Sequence, residues 1–275
     1  MMIRLLNASF TRLRKNKTFW LLIIFSIVLA LFMIYTQYSD MKNYGEVIEV
    51  EQLMLNYSTM IGIVIAIFTS LFLGVEYSDG AIRNKISIGH KRVNIYLSNL
   101  IIVTVTNLFS YIVFLGIVAS IGIPLFGSIT IPISKLLMLL GTIFVTTIAY
   151  SSIFTFLAMV ISNKTITAIV SIMFSFGLMM NAMICFNRLE APKTISEASI
   201  VNGETKIKEV PNPRYLSKEK RTIYQIIVDI NPAGQMFQIA GRTAPNLKVL
   251  PLYSLGLIVI FTGTGLVLFK RKELK

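Results

Sequence analysis

The residues able to do chemistry in this sequence are few and stand apart from one another. There is one histidine, His90, and one cysteine, Cys185. No His/Cys group therefore has metal-ligand spacing, and no intrachain disulfide can form. A G-x-x-x-x-G-K-[ST] phosphate loop is absent. The charged residues gather between long apolar runs. Those runs read as free of Asp, Glu, His and Lys, so they offer no acid pair, no serine with a base and no metal site for hydrolysis. They also lack the midplane carboxylates that mark ion and proton pathways. Recognition is the chemistry left over, and two basic segments could supply it.

The first is MMIRLLNASFTRLRKNKTFW. Ile3, Leu6, Phe10 and Leu13 recur at helical spacing and share one face. Arg4, Arg12, Arg14 and Lys15 fall mostly elsewhere. A basic amphipathic helix of this kind lies in the membrane interface, with Trp20 at headgroup depth. The second is GVEYSDGAIRNKISIGHKRVNIYLSNL. Gly80 and Gly89 bracket a short stretch, 81–88. Ile82 and Ile86 lie four apart while Arg83 and Lys85 point elsewhere, so a short helix with an apolar edge could dock into a partner's groove.

Composition says what positions these segments. The chain has 275 residues, 55% hydrophobic and only 14% charged, against about 25% charged in soluble domains. About 20 mostly apolar residues span a bilayer. The expected fold is an all-α membrane protein with six spans, at about 19–37, 57–74, 95–121, 134–161, 165–186 and 249–269. All six are read as uncharged. Gly122, Pro124, Gly127 and Pro132 are expected to separate the third span from the fourth, and Ser162–Asn163–Lys164 to turn the fourth into the fifth.

Basic residues flank three loops or ends: Arg4, Arg12, Arg14, Lys15 and Lys17; then Arg83, Lys85, Lys91 and Arg92; then Lys270, Arg271, Lys272 and Lys275. Asp40, Glu46, Glu49 and Glu51 dominate the first-to-second loop. This asymmetry predicts both termini inside. The net charge of +13 is explained by topology and anionic headgroups, so no nucleic acid is expected. The domains are then an interfacial helix, 1–18, and a transmembrane domain, 19–275, with an inner loop at 75–94 and an outer segment at 187–247.

The order of elements resembles the permease subunits of ABC-2 type ABC transporters. The sequence is most specific over Leu73–Leu100, where Glu76-x-x-x-Gly80 precedes Ile82 and Arg83. The resemblance implies that the inner loop is a coupling helix, with Glu76, Asp79, Gly80, Ile82, Arg83, Asn84, Lys85 and Ile86 as its docking residues. Its partner would be a separate ATPase subunit that holds ATP-Mg, so this chain would bind no cofactor and would not itself be an enzyme. A second permease copy or a homologous permease would complete the transporter in a bacterial plasma membrane, in contact with lipid.

The resemblance further implies re-entrant outer helices within Thr222–Gly241, broken at Asn231–Pro232. A small ordered element is expected in 187–221. Among polar residues of the spans, Ser58, Thr69, Ser171, Ser175 and Asn181 could line a substrate path, although interhelical hydrogen bonding is the alternative. Met173, Met179, Met180 and Met183 suit a lipid-like or amphipathic peptide substrate, or ordinary packing. Export of an antimicrobial peptide, self-immunity and drug export are the functions foreseen. A non-transporting membrane subunit that senses a toxin or removes it from the outer leaflet, and an ATP-independent channel or carrier, are the rivals.

Overall fold

The computed structural model describes residues 2–201 and 204–272; of the basic C-terminal group, Lys275 lies outside them. Six helical segments among the described residues are long and apolar enough to cross a membrane. A basic helix, α1 (Met2–Lys15), precedes the first span, α2 (Lys17–Tyr44). The second span joins α3 (Val50–Asn56) to α4 (Ser58–Ser78), and a short helix, α5 (Ala81–Ser87), follows. The third span is α6 (Arg92–Ile117), extended by a π-helical turn (Val118–Gly122) into α7 (Ile123–Phe126). The fourth and fifth spans are α8 (Ile133–Val160) and α9 (Lys164–Leu189). Beyond them come an antiparallel hairpin, β1 (Thr194–Val201) and β2 (Glu204–Pro211), and two short helices, α10 (Lys218–Ile230) and α11 (Pro232–Ala240). The sixth span is α12 (Leu250–Arg271).

The third span overruns its expected end. Gly122 and Pro124 do not break it. A π turn lacks the regular i→i−4 ladder, so the missing N–H of Pro124 is absorbed there. The break comes at Gly127, whose φ of 98° ends α7. The fourth-to-fifth turn is as expected: the Asn163 side chain accepts from the N–H groups of Thr165 and Ile166, at 2.9 and 3.1 Å, and caps α9.

α4 and α8 are the most enclosed spans, and α2, α9 and α12 are peripheral. Small residues let the central helices approach, as is usual where lipid removes the hydrophobic drive for association. Ser26 of α2 and Ser110 of α6 meet at 2.6 Å. Tyr57, Tyr111 and Phe114 stack between α4 and α6.

The spans are not free of charge. Lys135 stands in the first turn of α8. Glu51 and Glu76 are buried near the two ends of the second span, and each is compensated. Glu51 accepts from the Thr130 hydroxyl and, at 3.2 Å, from its N–H, with the Arg242 guanidinium 3.8 Å away. Arg242 also pairs with Glu49. Glu76 lies at the opposite end, with α1, α5 and the end of α12. The described residues of the three basic groups therefore share one end of the bundle, and the acidic loop shares the other with the described part of 187–247.

The described part of the segment between α9 and α12 forms the hairpin and two helices. Strands β1 and β2 pair from Thr194↔Pro211 to Val201↔Glu204. Asn231 separates α10 from α11, caps α11 through Ala233 N–H at 2.9 Å, and donates to Leu178 O of α9 at 2.9 Å. Gln235 of α11 accepts from Thr146 and Ser254, both at 2.7 Å, and so binds α8 and α12.

Candidate functional site: the coupling face

Local sequence chemistry shapes the basic end of the bundle. Gly80 adopts a left-handed conformation (φ 68°) that turns the chain out of α4. A Cβ there would meet nothing within 4 Å, so the requirement for glycine is backbone conformation, worth about 1 kcal/mol. Helix α5 follows at once. It closes with His90 N–H donating to Lys85 O at 3.1 Å and Gly89 N–H to Ile86 O at 2.9 Å. Gly89 is left-handed too (φ 92°), which is a Schellman-type stop. The glycine brackets thus delimit the short helix that their spacing predicts.

The apolar edge of α5 points the other way from the expected one. Ile82 is buried against the bundle and Ile86 is half-buried, so this edge seats the helix on its own protein. Asp79, Arg83, Asn84, Ser87 and Ile88 form the outward face, with Ile88 76% exposed. Any partner meets a polar surface carrying one prominent apolar side chain.

Glu76 holds this helix in place. Its side chain is 1% exposed, and three donors from three helices converge on it. Arg12 of α1 pairs with Oε1, Lys85 Nζ of α5 donates to Oε1 at 2.6 Å, and Asn99 Nδ2 of α6 donates to Oε2 at 2.8 Å. Arg12 also donates to Phe72 O at 3.2 Å and lies 4.3 Å over the Phe72 ring, a cation–π contact. One buried carboxylate therefore ties α1, α4, α5 and α6. Charge-assisted bonds of this kind are roughly twice as strong as neutral ones. Glu76 and Ile82, grouped by sequence with the docking residues, are interior supports, and Lys85 is turned inward toward Glu76.

The same bonds reorient α1. Its buried stripe is Leu5, Ser9 and Leu13, with Leu6 and Phe10 half-buried, while Ile3 is 72% exposed. The face expected from Ile3, Leu6, Phe10 and Leu13 is rotated, because α1 packs on α6 and reaches Glu76 through Arg12. Arg4, Arg14 and Lys15 remain exposed. Trp20 is exposed at the α1–α2 elbow, its indole N–H donating to Arg14 O at 2.9 Å.

A second clamp fixes the end of α12. The Arg92 guanidinium donates to Phe269 O at 3.1 Å, Lys270 O at 3.2 Å and Lys272 O, satisfying carbonyls that a helix end leaves free. Lys272 Nζ donates to Met159 O at 3.0 Å and to the Tyr77 hydroxyl at 3.2 Å. Burial pushes the Lys272 ammonium down from its ordinary 10.5 to about 8. Between those two pH values the unfolded chain binds more protons at this residue, so its burial penalty fades as pH rises from 8 toward 10.5. Acetylation of Lys272, followed by mass spectrometry, is expected to reach half its maximal rate near pH 8; a half-point above pH 10, as for a free lysine side chain, would remove the shift.

Sequence comparison decides the family. The chain matches the ABC-2 family transporter proteins over residues 5–181, more than half its length. The chain belongs to that family. No curated protein matches it. The matched region runs from α1 into α9 and so contains Glu76, Gly80 and α5; it stops short of the hairpin, α10, α11 and α12, and so of Lys272. ABC-2 permeases are membrane transport components that work with an ABC ATPase, so the face built around Gly80 and Glu76 belongs to a permease with such a partner.

Four of the permease's suggested path residues lie in its interior. Ser58 is buried and donates to Met236 O at 3.2 Å. Thr69, Ser171 and Ser175 are buried within α4 and α9. Their position is that of helix-packing residues, the alternative use of small polar residues in a span. Asn181 alone is exposed, and its Oδ1 accepts from Asn231 at 3.2 Å. The sequence also left out Arg12, Asn99, Arg92 and Lys272 as supports of the coupling face. Their signal was available only in part, as polar residues at the ends of apolar runs.

Proposed function

We propose that this permease serves an ATP-driven exporter, with the ATPase subunit docking on the exposed face of α5. The single observation that carries the proposal is the construction of that face. A short helix is bracketed by left-handed glycines and presents Asp79, Arg83, Asn84 and Ile88, while a buried carboxylate ties it to three other helices. A push on α5 reaches α1, α4 and α6 through Glu76. The basic end of the bundle is then the cytoplasmic one, as the positive-inside rule requires.

The substrate class we propose is an amphipathic peptide or lipid-like compound moved toward the outer leaflet by a pair of permeases. Met173, Met180 and Met183 are exposed along α9 and make an adaptable apolar surface. Helices α10 and α11, broken at Asn231–Pro232, would cap the outer leaflet as re-entrant helices.

Reversing the charge at the docking face tests the partner assignment. Arg83 is exposed and forms no salt bridge among the described residues, so Arg83→Asp is expected to leave permease stability within about 0.5 kcal/mol. Recovery of the ATPase subunit with the permease should fall at least about tenfold, because like charges juxtaposed at an interface cost several kcal/mol. Normal recovery together with normal transport would overturn the assignment.

A further inference from the structure

We infer that the permease holds one anionic phospholipid at the α1–α2 elbow, with an acyl chain in the groove between α2 and α4 and the headgroup on Arg14, Lys15 and Lys17. The groove encloses about 350 Å³ and is apolar along its walls, with Thr18 at one end. Leu21 and Phe25 of α2 face Met60, Ile67 and Leu71 of α4 across it. Met60 and Leu71 are separated by about 17 Å of helix at 1.5 Å per residue. One leaflet of hydrocarbon is about 15 Å thick. The groove therefore has the length of a single acyl chain and runs in the direction a lipid chain takes.

Charge at its mouth selects the headgroup. Thr18 is the end of the groove nearest the elbow, and Lys17 precedes it in the chain. Arg14 and Lys15 close the last turn of α1. All three cations are exposed and form no salt bridge among the described residues, and residues 2–20 contain no acid. Arg12, by contrast, is spent on Glu76. A second protein helix in the groove would cover its apolar walls but leave these three charges unanswered, which favours a lipid phosphate. Each such cation near an anionic headgroup is worth about a fivefold gain in binding.

Trp20 is the only tryptophan of the chain, and its indole N–H donates to Arg14 O at 2.9 Å, beside the cations that would hold the headgroup, which gives a clean probe. The full permease is reconstituted in phosphatidylcholine vesicles containing a minor fraction of phosphatidylglycerol with brominated chains, or the same fraction of brominated phosphatidylcholine. Brominated phosphatidylglycerol is expected to quench Trp20 with at least about tenfold higher apparent affinity. Lys15→Gln with Lys17→Gln should bring the two lipids within about twofold. Val64→Phe or Ile67→Phe, which fill the groove and leave the charges alone, should do the same. Equal quenching by both lipids in the unaltered permease would overturn the inference. A preference that survives groove filling would also overturn it, since it would report a charged surface without a chain-binding site. Loss of quenching by either lipid would do so too, because it would mean that protein occupies the groove.

Discussion

Glu76→Ala is expected to destabilise the permease by about 3 kcal/mol and to unseat α5. Removing one member of a buried ion pair leaves its partners uncompensated, at a cost of about 3–5 kcal/mol. The lower end applies here, because Arg12 keeps 31% and Lys85 19% of its side-chain surface exposed and both can turn toward water. Asn99 would lose its 2.8 Å acceptor as well. Unfolding of the detergent-solubilised permease checks the size of the effect, and a double-mutant cycle with Arg12→Ala isolates the pair. A coupling of about 1 kcal/mol or more is expected, since contacting charges in one network do not act additively. An effect below about 0.5 kcal/mol would show that the node carries no structural weight. The same substitution bears on transport: with α5 loosened from α1 and α6, ATP hydrolysis should continue while coupled transport is lost.

The α10–α11 pair should respond as strongly to Gly234→Ala. A Cβ at this position would stand 2.3 Å from Val228 O and 2.9 Å from Val228 Cγ1. The nearer obstacle is backbone, so α11 must move away from the end of α10. That motion strains the Asn231 cap, the Gln235 bond to Asp229 O at 2.7 Å, and the Gln235 bridge to Thr146 and Ser254. Overpacking of this kind costs about 1–3 kcal/mol, and the upper part of the range is expected. Gly256→Ala in α12 is the control. Nothing lies within 4 Å of its Cβ, and alanine is the better helix former by about 1 kcal/mol. Equal melting temperatures for the two variants would contradict the close approach of α10 and α11.

Much of the scaffold could be read directly from residue order. Hydropathy located six spans because lipid demands long uncharged runs. The Gly80 and Gly89 brackets located α5, and Asn231–Pro232 located the break between α10 and α11, because left-handed turns and missing N–H groups are local constraints. Where one residue's environment depends on another far along the chain, the reading failed. Glu76 looks the same in sequence whether it meets water or Arg12, which lies 64 positions away. The rotation of α1 has the same cause: Ile3, Leu6, Phe10 and Leu13 form a plausible lipid face until Arg12 finds its carboxylate. Gly122 and Pro124 looked like a break because a π turn has no signature of its own in the residue types. Ser171 and Thr69 could not be assigned to path or packing from composition, since both uses want a small hydroxyl on an apolar helix.

Site-specific photocrosslinking tests the docking face most directly. A benzophenone side chain placed at Asn84, on the exposed face of α5, in the permease co-expressed with its ATPase subunit should give a covalent permease–ATPase adduct on irradiation. The same group at Lys218, at the start of α10, should give none. An adduct from position 218, or an assembled transporter with no adduct from position 84, would contradict the assignment of α5 as the point where ATP hydrolysis is delivered to the membrane.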